Sequence, residues 1–109
     1  MDVIDVAKDF TRFPAGRYKR NGTTSGEAFR ERFLEPALRE GKPVTVQLDG
    51  TIGYGSSFLE EAFGGAVRSL RMPSKRVLEL VTLKSADPDL IAEIQEYVTE
   101  AGARLAPRD

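Results

Sequence analysis

The sequence predicts an α/β fold: a small mixed sheet of about four to five strands, partly parallel, with three main helices packed on it. Two observations carry this. Short β-branched stretches, clearest at residues 43–49 and 76–83, alternate with segments whose apolar residues recur every three to four positions. Strands separated by helices also require right-handed parallel crossovers. A chain of 109 residues forms one core and not two, so residues 1–109 read as a single domain.

Val3-Ile4-Asp5-Val6 reads as the first strand. Residues 11–20 read as a second, interrupted by Phe13-Pro14-Ala15-Gly16, with Asn21-Gly22 as a turn behind it. A helix then starts at Thr24, which has capping-box spacing with Glu27, and Phe29, Phe33, Ala37 and Leu38 form its apolar face. Pro36 predicts a kink or a split, and Gly41 a stop.

Val44, Val46 and Leu48 alternate as in an interior strand. The second helix opens at Ser57, again with capping-box spacing to Glu60, and Leu59, Ala62, Phe63, Ala66, Val67 and Leu70 line one face. Gly64-Gly65 inside it costs about 2 kcal/mol in helix propensity, which close packing must offset. Residues 76–83 read as another strand. Asp87-Pro88-Asp89 opens a last helix with the stripe Leu90, Ile91, Ile94, Val98 and Ala101, and Gly102 ends it.

Composition narrows the function. Sixteen basic residues against seventeen acidic ones leave a net charge of −1, so no global field holds a polyanion, and nucleic acid is not an expected partner. The basic run Arg12, Arg17, Lys19 and Arg20 reads as a solvated segment. The chain has no Cys and no His, which removes thiolate metal sites, Ser-His and Cys-His catalysis and zinc hydrolysis. The expectation is a protein that is not an enzyme, needs no cofactor or metal, has no membrane association and sits in the cytoplasm.

The most informative stretch runs from Leu48-Asp49-Gly50 through a loop with three glycines in residues 50–55 to Ser56-Ser57 and a helix. It places two hydroxyls at a helix start beyond the carboxyl end of a strand, where ligands and partners dock in open α/β sheets. Arg17, Gly22, Ser25-Gly26-Glu27, Phe29-Arg30, Leu48-Asp49-Gly50 and the run 55–65, Gly55-Ser56-Ser57-Phe58-Leu59-Glu60-Glu61-Ala62-Phe63-Gly64-Gly65, resemble the STAS-like domain family of unknown function. The resemblance spans roughly residues 3–100.

That family looks like the anti-sigma factor antagonist domains, and the resemblance implies binding to a protein partner of the histidine-kinase-like ATPase type. It also implies a phosphoacceptor serine, which falls on Ser57 with Ser56 beside it. Gly55 and Phe58 replace the Asp and the Gly of the antagonist motif, and the Ser57 hydroxyl equally suits a helix N-cap. The partner surface would include Asp49, Gly53, Tyr54, Gly55, Glu60 and Glu61. An alternative is a small anion- or nucleotide-binding domain that uses helix N-termini, with Arg17, Ser25, Gly26 and Arg30 as the anion site.

Overall fold

A computed structural model describes residues 3–105. Three strands form one sheet in the order β1-β2-β3: β1 (Val3–Asp5), β2 (Val44–Gln47) and β3 (Val81–Lys84). Both pairings are parallel, with Ile4 beside Val46 and Val46 beside Leu83. The sheet is therefore smaller than expected and, among the described residues, parallel throughout. Residues 11–20 add no strand, because the Phe13 amide turns back onto the Thr11 hydroxyl and Pro14 and Gly16 keep the segment irregular.

A π-type turn (Val6–Phe10) takes Val6 out of the expected first strand, and besides it and a 3-10 turn at Lys19–Asn21 there are four α-helical segments among the described residues. They are α1 (residues 26–39), α2 (residues 56–70), α3 (Ser74–Leu80) and α4 (Pro88–Ala103). Helix α3 was not expected. Val77 and Leu80 are both buried, one helical turn apart, so the first half of the stretch read as strand obeys the helical period instead. The strand begins only at Val81. The last helix is as expected, capped by the Asp87 side chain on the Asp89 amide and buried along Ile94, Val98 and Ala101, although it runs past Gly102.

Successive strands lie side by side in chain order, and right-handed crossovers in one direction place the helices on one face of the sheet. Burial agrees. Ile4, Val44, Val46, Leu48 and Val81 are buried, whereas Val3, Asp5, Thr45, Gln47, Thr82 and Lys84 are exposed or half-buried. The open face is accordingly mostly polar.

Two wide, π-type turns interrupt the long helices: Arg30–Leu34 in α1, where the Glu35 amide reaches Arg30 O, and Glu60–Gly64 in α2, where the Gly65 amide reaches Glu60 O. The first immediately precedes Pro36, so the missing donor falls at the start of a fresh α-helical stretch, where no donor is needed. The expected disturbance at Pro36 is met by this widening.

Helices α1 and α2 cross closely. A Cβ on Gly26 would overlap the backbone carbonyl oxygen of Phe58 and lie 3.1 Å from the Ala62 amide nitrogen. Gly26→Ala is thus expected to destabilise by about 1–3 kcal/mol in urea denaturation, because no side-chain rotation relieves a clash with backbone. On helix propensity alone the sign would be opposite, a gain of up to about 1 kcal/mol. A stabilised variant would contradict the crossing.

Candidate functional site

The candidate site lies at the carboxyl end of the sheet, where the loop from β2 meets the start of α2. Asp49 closes β2 and brackets the next strand's exit, accepting from the Ala86 amide at 3.0 Å and the Ser85 hydroxyl at 3.3 Å. Two glycines of the loop are required by backbone geometry: Gly50 at φ 100° and Gly53 at φ 140°. Gly50 also faces the Ala7 side chain, 3.0 Å from where a Cβ would stand.

Tyr54 turns inward. Its hydroxyl donates to Leu48 O at 2.7 Å and its ring lies 5.9 Å from that of Phe58, so it braces the loop from beneath and is not a surface anchor. Burial pushes the phenol up to about 12. Ile52 points the other way and is 72% exposed. Its amide bonds to Arg12 O at 3.0 Å, which brings it beside Phe13, itself 58% exposed. These two large apolar side chains, carried by separate loops tied together by backbone, were missed from the sequence. An isoleucine flanked by glycine-rich turn residues and a phenylalanine directly before a proline were the available signals.

Ser56 and Ser57 are both exposed, on the first turn of α2. Ser57 is not the N-cap. That position falls to Gly55, which has no side chain to cap with, and with Ser57 already inside the helix the expected Ser57–Glu60 capping box does not form; arginines hold the Glu60 carboxylate instead. The box expected at Thr24 is displaced too. Ser25, fully buried, caps α1 through the Ala28 amide at 3.1 Å, while the Glu27 carboxylate accepts from the Lys19 amide.

The charged residues of the two blocks meet behind this surface. Arg30 is buried, donating through Nε to Glu35 at 2.7 Å and through one terminal nitrogen to both the carboxylate and the carbonyl of Glu61. Gly65 makes room for it, since a Cβ there would stand 2.5 Å from the guanidinium. Arg17 donates to Glu60 at 2.5 Å and approaches Glu61 at 3.4 Å. Arg68 holds the other side of Glu60 at 2.5 and 3.0 Å. Burial alone would raise the Glu60 carboxyl, but hydrogen bonds from Arg68 and Arg17 outweigh it and hold it below the ordinary carboxylate range.

This arrangement corrects two expectations. Arg17, Ser25, Gly26 and Arg30 do not form an open anion site: both guanidiniums are held by the chain's own carboxylates, Ser25 is a buried cap, and Gly26 is pressed on Phe58. Glu61 is buried and so is not a surface residue, while Glu60 is tied down between two arginines. Asp49, Gly53 and Gly55 are exposed, as are Ser56 and Ser57. Among the described residues no group of three acidic side chains is placed to hold a metal ion, and no helix is long and apolar enough to cross a membrane.

Residues 25–90, more than half of the chain, match the family described as a STAS-like domain of unknown function. The chain belongs to that family. The match takes in Ser25 to Arg30, the glycine loop and the whole of α2, and leaves Arg17 and Gly22 outside it. No curated protein and no solved structure matches the chain significantly. The three-stranded parallel α/β fold described above is this STAS-like domain's architecture.

Proposed function

We propose that this STAS-like domain is a regulatory module, without chemistry of its own, that binds a protein partner at the carboxyl end of its sheet and is switched by phosphorylation of Ser57. The supporting observation is the exposed Ser57 hydroxyl, not used as a cap, on the first turn of α2 beside a loop whose turns need Gly50 and Gly53 and which Tyr54 ties to the end of β2. The resemblance to anti-sigma factor antagonists makes a histidine-kinase-like ATPase the partner. In the switching step Ser57 Oγ would form a bond to the γ-phosphorus of the partner's ATP, the bond to the ADP oxygen would break, and the hydroxyl proton would pass to solvent.

The added phosphate carries a charge of about −2 and stands one turn from Glu60 and Glu61, so it adds both negative charge and bulk to the docking surface. Titration calorimetry with a purified ATPase domain tests the switch. Ser57→Asp should weaken binding about tenfold or more, a change of at least about 1.4 kcal/mol, while Ser57→Ala should bind like the parent. Equal affinities for the two variants would sink it.

A further inference from the structure

We propose that Arg17 is the internal receiver of phosphate on Ser57, and that its transfer from the glutamates to the phosphate carries the modification to the irregular strap, residues 11–25, that presents Phe13. The proposal deepens the reading above and takes from it that Ser57 is the modified residue. The rest comes from the geometry of the ion network.

Ser57 precedes Glu60 and Glu61 by three and four residues, so it lies on the same face of α2, about 5–6 Å away between Cβ atoms and one turn nearer the helix start. The Arg17 guanidinium touches both glutamates. A phosphate on Ser57 therefore appears one turn from a guanidinium already docked on its face. Three acceptor oxygens and a charge of about −2 compete better for that group than a carboxylate shared with a second arginine.

Arg17 is also the member of the network that can leave. Glu60 keeps both bonds from Arg68, and Glu61 keeps Arg30, so neither carboxylate is stranded. Arg30 has no such freedom, being buried under Gly65. Arg17 is half-exposed and opens onto a groove of about 600 Å³ that Tyr18, Arg68 and Tyr97 also line, so, unlike Arg30, it is not enclosed by packing.

What Arg17 pulls on is the strap. Apart from one turn at Lys19–Asn21 the strap has no regular structure. Its backbone is fastened to the start of α1 at Gly16 and Arg17, and to the glycine loop where Arg12 O accepts from the Ile52 amide. A displacement of the strap backbone at Arg17 would reach Phe13 and, through the Arg12–Ile52 bond, Ile52, two exposed apolar side chains.

The test uses the isolated protein with phosphoserine installed at position 57, so neither kinase nor partner is needed. In ³¹P titrations the two glutamates should raise the second ionisation of the phosphate, and Arg17 should counter them. The midpoint is expected to be about one pH unit lower in the parent than in Arg17→Gln, with Arg17→Lys recovering much of the difference. Amide resonances of residues 12–18 and of Ile52 should move on phosphorylation in the parent and stay in place in Arg17→Gln. Equal midpoints in all three proteins, or amide changes confined to residues 55–61, would overturn the proposal. A failure to bind any ATPase would refute the proposed function and leave these measurements intact.

Discussion

Arg30→Met is expected to destabilise the domain by about 3–5 kcal/mol, a large part of the 5–15 kcal/mol that holds a domain together. The guanidinium is enclosed between α1 and α2, and its loss leaves two carboxylates in low-dielectric surroundings. Glu35 would keep only Arg39, an exposed side chain at 2.9 Å, and Glu61 would keep contacts of 3.4 Å to Arg17 and Arg68. Neither replaces the buried donor. With a urea m-value of about 1–3 kcal/mol/M, the midpoint should fall by on the order of 2 M. The size of the effect comes from the stranded charges and not from the worth of the pair. Replacing Arg30, Glu35 and Glu61 together by Met, Leu and Leu should therefore recover at least half of the loss. A single variant within about 1 kcal/mol of the parent would mean that water reaches the network.

That network marks the limit of what sequence periodicity conveys. β1, β2 and α4 were legible because alternation in Val44, Val46 and Leu48, and an Asp-Pro start before a spaced apolar stripe, are local signals. The stretch from Val77 to Leu83 was not, since a helical turn followed directly by a strand has no turn residue between them and its valines and leucines fit either period. The glycine pair of α2 correctly announced close packing. At Gly64 the Glu60 carboxylate of the same helix lies nearest, but the Arg30 side chain at Gly65 and the Tyr97 carbonyl at Gly64 are partners 35 and 33 residues away that no local spacing encodes. The two serines were placed correctly at the start of α2, but which hydroxyl caps a helix depends on one residue of register, and Gly55 took the position.

The second large effect separates the two phenylalanines that flank the site, Phe29 and Phe13. Phe29 is fully buried, with ring centroids of Phe10 and Phe33 at 5.5 Å, Phe58 at 6.0 Å and Phe63 at 6.2 Å. Phe29→Ala is expected to cost about 3–5 kcal/mol, from lost transfer energy and from a cavity that four rings cannot all collapse into. Phe13→Ala should stay within about 0.5 kcal/mol, because more than half of that residue is already exposed to water. The contrast extends to the site. Phe58 is shared between the Phe29 cluster and Tyr54, whose hydroxyl holds the carbonyl at the end of β2, so a cavity at Phe29 loosens the glycine loop from below. Hydrogen exchange of the 50–57 amides should accordingly rise in Phe29→Ala and remain unchanged in Phe13→Ala. Exchange that is equally fast in both variants would break the link between the aromatic core and the loop.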